Sequence, residues 1–261
     1  MTVFYAAEIV GKAGIYAFRR GLSALKKTRA IDFVVANADG ATAGGGLGRE
    51  HAAYLHKLGA NAITLGDFSF YKKDLTGNLD KLPFVIRPYN LVPDAPGCGA
   101  RIFDAGGGMR IAVVQLLGQV GFAKLHGENP YQAALPLLEK LRAETPFLLL
   151  DFHALATAEK KTLFALVDGH CSAAIGSHTR VQTTDNRVLP GGTACITCAG
   201  LTGSQISVGG LVPEIVIRAY VTGIPAWQKE AETAPALQGV LVDIADNGKA
   251  RSIERVSRAI G

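Results

Sequence analysis

His178 and Arg180 stand two residues apart at the end of the apolar run SAAIGSH (172–178), so in an extended chain their side chains leave the same face. A His-x-His pair at such a place can hold a transition metal, whereas arginine cannot ligate a cation. Other residues with suitable chemistry occupy comparable positions. Glu8 closes the first apolar run, Asp39 follows the second and Asp67 the third, while Asp151 and His153 close a later run. If these runs are strands of an α/β sheet, Glu8, Asp39, Asp67, Asp151, His153 and His178 all lie at carboxyl ends of strands, where ligands bind. Two imidazoles and several carboxylates converging there would suit a divalent ion such as zinc, iron or manganese. Taken singly, each residue has a plainer reading. A carboxylate after a strand caps a helix or forms a turn, and a buried histidine is hydrogen-bonded core. Arg180 alone could simply face solvent. The shared placement is what argues for a site.

Those residues need elements to position them. TVFYAAEI (2–9) predicts a strand, and Phe18, Leu22 and Leu25 predict an amphipathic helix over 14–28. IDFVVAN (31–37), NAITLG (61–66) and LPFVIRP (82–88) predict strands, with a helix near 48–58 between the first two. Residues 100–118 predict a hairpin turning at Gly106-Gly107-Gly108, and 239–256 another turning at Asp246-Asn247-Gly248. Helices are expected over 129–144 and 157–167, strands over 147–153 and 172–178, and paired strands in RVLP and TACIT. Strand–helix alternation with hairpins in the second half points to an α/β chain with helices covering a mixed sheet system. No linker-like break in composition appears, so one domain over 1–261 is expected.

Composition sets the bounds. Hydrophobic residues make up 48% and charged ones 19%, which excludes a disordered chain. The formal charge of +5 has no long basic run behind it, so a nucleic-acid surface is disfavoured. No run approaches the length of a membrane span, and the N-terminus lacks the basic start of a signal peptide. Cys98, Cys171, Cys195 and Cys198 are too scattered for a disulfide framework, so a cytoplasmic location is expected. Cys195 and Cys198 have redox spacing, but they sit in a strand-like run instead of at a helix N-terminus. GATAGGGLG (40–48) matches no phosphate-binding loop and reads as a close-packed turn before a helix.

Longer signatures carry a resemblance over nearly the whole chain: EIVGKAG (8–14), NADGATAGGGL (37–47), GANAITLGDFSFYKKDL (59–75), RPYN (87–90), LDFHALATAEK (150–160), GSHTRVQTTDNRVLPGGTACIT (176–197) and AGLTG (199–203). In these the chain resembles the YmdB-type branch of the calcineurin-like metallophosphoesterases, dinuclear-metal phosphodiesterases with a four-layer α-β-β-α sandwich fold. The resemblance implies that fold here, and it marks departures at the site. Glu8 stands where the family has Asp, Asp39-Gly40 where it has Glu-Asn, and Asp67-Phe68 where it has Asn-His. The histidine lost at Phe68 is the family's acid for the leaving oxygen. His153 and His178 match, but Leu155 replaces a Glu, Arg180 the second His of His-x-His, and Cys198 an Asp.

The resemblance therefore implies Asp39, Asp67, His153 and His178 as ligands of at most one divalent transition metal (Mn, Fe or Zn), with Glu8 as a weaker fifth. Arg180 would put a covalently attached positive charge where the second metal stood. Gly40 and Asn90 would line the phosphate or ligand pocket. No catalytic residue is assigned, because the family's acid position is Phe68. Two functions follow. One is a catalytically impaired member, a pseudoenzyme that binds a small anionic ligand or a partner protein and acts in regulation or as a scaffold, as a homo-oligomer. The other is an active phosphodiesterase for cyclic nucleotides or similar phosphodiesters, with a reorganised, mononuclear centre.

Overall fold

Residues 3 to 6 point alternately into two apolar clusters: Val3 and Tyr5 into one, Phe4 and Ala6 into the other. That period-two alternation sets the layering of the chain. The computed structural model describes residues 1–122 and 125–261. In chain order the elements are β1 (Thr2–Ala6), β2 (Glu8–Ile9), α1 (Gly11–Lys26), β3 (Phe33–Asn37), α2 (Arg49–Lys57), β4 (Ala62–Thr64) and α3 (Lys73–Thr76). Then follow β5 (Val85–Ile86), β6 (Ala100–Gly106), β7 (Met109–Leu117), α4 (Pro130–Arg142), β8 (Phe147–His153), α5 (Thr157–Leu166) and β9 (Ala173–Ser177). The chain finishes with β10 (Arg187–Val188), β11 (Ala194–Ile196), β12 (Leu201–Ser204), α6 (Pro213–Thr222), β13 (Pro235–Ile244) and β14 (Ala250–Ala259).

Two mixed sheets form. One has the order β2-β12-β13-β1-β3-β4-β5, with β14 on the far edge of β13, and the other β10-β11-β9-β8-β7-β6. Three apolar clusters fill the gaps between four layers. Phe18, Leu22 and Leu25 of α1 and Leu55 of α2 pack on Phe4, Ala6 and Val34 of the first sheet. Tyr5, Phe33 and Val35 meet Ile111, Val113, Leu149 and Ile175 between the sheets. Val114, Leu148 and Leu150 meet Leu137 and Leu138 of α4 and Leu163 and Phe164 of α5. The arrangement is the four-layer α-β-β-α sandwich. Central parallel strands are buried on both faces, which explains their continuous apolar runs.

Several elements differ from the sequence reading. Residues 2–9 form two strands, because the chain changes partners after Ala6: β1 pairs β13 and β3, while Glu8 and Ile9 pair β12. Helix α1 starts at Gly11, earlier than 14–28 suggested. Its early glycines are close-approach residues, since a Cβ on Gly14 would lie 2.5 Å from the Thr202 carbonyl oxygen. Strand β12 and helix α6 have no counterpart in the periodicity of the sequence. Both hairpins turn at their glycines, Gly106, Gly107, Gly108 and Gly248 all having positive φ. Among the described residues, no helix is long and apolar enough to cross a membrane.

Candidate metal centre

The parallel strands β1, β3, β4, β8 and β9 end on the same side of the sandwich, and the polar residues that follow them gather there. Asp67, in the turn after β4, accepts at Oδ1 from the His153 Nε2 position at 2.8 Å. His178, just past β9, places Nδ1 3.4 Å from the same oxygen and 3.1 Å from His153 Nε2. One ligand atom from each of the three lies within 4.8 Å of the others. Two imidazole nitrogens and a carboxylate oxygen are a donor set that suits a divalent transition metal. The residues fit the ion that the fold implies. His178 and Arg180 both hold positive φ, 86° and 54°, a conformation that non-glycine residues adopt at a cost of ~1–3 kcal/mol.

Asp39 lies beside this trio instead of in it. Its Oδ1 accepts from Gly66 N–H at 2.6 Å and its Oδ2 from Phe68 N–H at 3.1 Å, which leaves Oδ2 3.7 Å from His153 Nε2. It therefore clamps the loop that presents Asp67. A Cβ on Gly66 would collide with the His153 ring, so only glycine lets the imidazole lie there.

Glu8, weighed as a weaker ligand, is taken up by Arg180. The guanidinium donates from Nε at 3.0 Å and from Nη2 at 2.7 Å, both to Glu8 Oε1. Nη1 donates to the Gly209 carbonyl at 2.7 Å and Nη2 to the Gly44 carbonyl at 3.3 Å. Gly40 provides the space, because a Cβ there would meet Arg180 Nη2 and Val10 Cγ2 at 2.9 Å. The Phe68 ring packs edge-on against Tyr71, and Phe122 packs on both His153 and His178. Asn90 has a different task from the one expected of it. Both amide hydrogens go to the Leu117 and Glu128 carbonyls and its Oδ1 accepts from Leu117 N–H, so it ties loops together and has no donor left for phosphate.

Behind His153 lies a network that the sequence did not reveal. Its Nδ1 meets Ser177 Oγ at 3.1 Å, and that hydroxyl donates to Asp151 Oδ1 at 2.7 Å. Asp151 Oδ2 accepts from Tyr5 Oη and Thr64 Oγ1, each at 2.6 Å, and from Asn37 Nδ2 at 3.2 Å. Such outer partners fix the orientation of a ligating imidazole and leave Nε2 for the centre. Beforehand, Asp151 stood out only as a strand-end carboxylate, and Tyr5, Asn37, Thr64 and Ser177 only as polar residues inside apolar runs.

Burial dominates the electrostatics. It pushes the Asp39 carboxyl up to about 7, with Asp67 and Glu8 adding to the rise and His153 opposing it. Burial also disfavours charge on Asp67, yet hydrogen bonds from His153 and His178 hold its carboxyl well below the usual carboxylate range. For His153, burial lowers the affinity for a proton, but the bond to Asp67 and the charges of Asp39, Asp67 and Glu8 raise it above an ordinary imidazole.

Comparison with known proteins adds the following. The family model described as YmdB-like protein matches residues 4–256. A 2',3'-cyclic-nucleotide 2'-phosphodiesterase of Bacillus subtilis (strain 168) is 35% identical over 257 residues, covering 98% of this chain and 96% of the relative. A hypothetical protein from Thermus thermophilus superposes with a TM-score of 0.92 at 28% identity, covering 100% of both chains. A structure described as a novel phosphatase from Mycoplasma pneumoniae also gives 0.92, at 29% identity, covering 99% of this chain and 93% of its own.

Two outcomes are expected. Arg180→Met leaves the Glu8 carboxylate buried without a counter-charge and should cost ~3–5 kcal/mol in urea unfolding, most of it recovered when Glu8→Gln is added. A single variant as stable as the wild type would show that the pair is not a stabilising one. The second concerns pH. A carboxyl whose pKa is raised on folding, such as Asp39, contributes stability below its ordinary value that is lost as pH climbs through about 7. His153, raised above an ordinary imidazole, likewise loses its contribution as pH rises through its folded pKa. Asp67, depressed, contributes stability present above its ordinary value and lost only in acid. Chelator-treated protein should therefore show a falling Tm between about pH 6 and about pH 8, and manganese should reverse the trend because binding requires deprotonated ligands. A Tm in chelator that rises over that interval would contradict the assignment.

Proposed function

The chain belongs to the YmdB-like family of the calcineurin-like metallophosphoesterases, and from that premise we propose that it binds nucleotide phosphodiesters at a reduced, single-metal centre and hydrolyses only the most strained of them. The observation that carries this reading is Arg180, held on Glu8 and seated over Gly40 at 2.9 Å from where a side chain would begin. A guanidinium in that place excludes a second cation by charge and by volume. Asp67, His153 and His178 would hold one divalent ion, which when bound would supply Lewis-acid polarisation of a phosphoryl oxygen.

The chain's own residues do the rest. Asp39 keeps the 66–68 loop closed on the centre, and Asp151 with Ser177 orients His153. Phe122 packs its ring on both imidazoles, leaving His153 fully buried and His178 partly open. Phe68 has no proton to give, and a positioned acid contributes roughly 10²–10⁴-fold. A five-membered 2',3'-cyclic phosphodiester releases ring strain as phosphorus is attacked, so it depends least on that missing donor. It is also the substrate in the name of the Bacillus subtilis relative. Acyclic diesters lack this advantage and would be bound with little turnover. The free cysteines suit a reducing compartment, and the reading includes a cytoplasmic location.

The same reading includes a homo-oligomer. Helix α6 and the residues after it carry Ile217 at 55% exposure, Tyr220 at 87%, Val221 at 79%, Ile224 at 67% and Trp227 at 98%. Ile217, Tyr220 and Val221 recur at helical spacing within α6, and Ile224 and Trp227 follow its Gly223 cap. Large apolar side chains exposed together in one short stretch are of the kind that mark protein–protein contact surfaces. A second copy of the chain is the occupant proposed for this face.

With manganese, purified protein should contain no more than one transition-metal ion per chain by elemental analysis. It should hydrolyse 2',3'-cyclic AMP slowly and bis(p-nitrophenyl) phosphate far more slowly, and His153→Ala should abolish the former. Two ions per chain, or fast turnover of the acyclic diester, would refute the single-metal reading. Light scattering should give a dimer or larger assembly, and Tyr220→Asp with Trp227→Asp should convert it to monomers. A wild-type monomer at micromolar concentration would remove the α6 interface.

A further inference from the structure

The formal charge of +5 reflects 27 basic and 22 acidic residues. Arg19, Arg20, Lys26, Lys27 and Lys57 line one open groove of about 680 Å³ between the C-terminal ends of α1 and α2. The remaining basic residues, 27 less these five, equal the 22 acidic ones in number. All five cations are exposed, no carboxylate lines the groove, and none of the five forms an ion pair among the described residues. A helix C-terminus favours cations, but only within its last turn. That accounts for Lys26 and Lys57, whereas Arg19 and Arg20 lie about two turns earlier in α1.

The layout of the charges selects the ligand. Arg19 and Arg20 precede Lys26 and Lys27 by seven residues, about 10 Å along the helix axis, so the charges make a row and not a point. A row matches an anion that repeats. The apolar residues in the lining, Leu22, Ala24 and Leu58, are covered or half-covered, so nothing is offered to the interior of a membrane. No aromatic ring lines the groove, so it recognises phosphate and not bases. The groove is separate from the metal centre. Helix α1 begins at Gly11, whose N–H is held by the Gly40 carbonyl beside the Glu8–Arg180 pair, and the groove runs along the second half of the helix, from about 12 Å to about 22 Å beyond that point.

We propose that this groove docks the phosphate backbone of RNA without regard to sequence. The proposal rests on the nucleotide reading above only in its choice of nucleic acid among polyanions.

The test reads binding by fluorescence anisotropy with a short labelled oligouridylate, so it is independent of turnover. Affinity should fall steeply with salt, log K against log salt having a slope of about −3 for four or five neutralised phosphates. Arg19→Glu, Arg20→Glu and Lys27→Glu combined should weaken binding at least tenfold, and the milder pair Arg20→Gln and Lys57→Gln about threefold. Hydrolysis of 2',3'-cyclic AMP should be the same in these variants as in the wild type, so loss of RNA binding and failure of the catalytic reading show up as separate results. Unchanged affinity in the folded variants would overturn the proposal. So would inorganic polyphosphate or phosphatidylglycerol vesicles competing as effectively as RNA.

Discussion

Four carboxylates, Glu8, Asp39, Asp67 and Asp151, are gathered at one end of two packed sheets, and Glu8, Asp39 and Asp151 are almost entirely buried. An unpaired charge in such a place costs several kcal/mol, so the surrounding structure is organised around compensating each of them. Each is met differently. Glu8 has a guanidinium, Asp39 two backbone N–H groups, Asp67 two imidazoles, and Asp151 two hydroxyls of the first sheet together with the Ser177 hydroxyl and the Asn37 amide. Only Asp67 depends on groups that are themselves metal ligands. It is therefore the carboxylate whose environment an ion would change most.

The Asp151 network also joins the two sheets. Tyr5 and Thr64 belong to strands of the first sheet and Asp151 and Ser177 to strands of the second. Elsewhere the gap is filled by apolar side chains without direction. Hydrogen bonds to one carboxylate supply direction at the end where it matters, fixing how β8 and β9 sit against β1 and β4. His153, one residue from the end of that network, inherits its orientation. Burial raises the Asp151 carboxyl, and its hydroxyl donors pull it back, as a clustered polar core requires.

Two departures from the family pattern form one structural unit. Gly40 removes a side chain where the resemblance implies an asparagine, and Arg180 fills the space so opened. Arg180 as placed depends on Gly40, since a Cβ at position 40 would clash with the guanidinium. Phe68 does not belong to this unit. Its ring packs on Tyr71, and its backbone N–H still holds Asp39. The loop geometry of the centre thus persists where the side-chain chemistry has changed, because that geometry depends on backbone donors.

Much was legible in the sequence. Apolar runs of length four to eight and their helical counterparts located most elements, since periodicity reports which face is buried whatever packs on it. Glycine clusters located both hairpin turns. The long signatures implied the four-layer fold, and the placement of Glu8, Asp67, His153, His178 and Arg180 after strands pointed to one end of the sheets. The break between β1 and β2, the short β12 and helix α6 were not legible, because partner exchange and an outward apolar face leave no periodic trace. Nor were the tasks of Asp39 and Asn90, or the Asp151 network. A side chain's type states which bonds it can make, and only the folded neighbours decide which it makes. The basic groove shows the same limit from the other side. Its five charges are spread over 39 positions of sequence with apolar residues between them, and they become a single feature only when α1 and α2 lie side by side on one sheet.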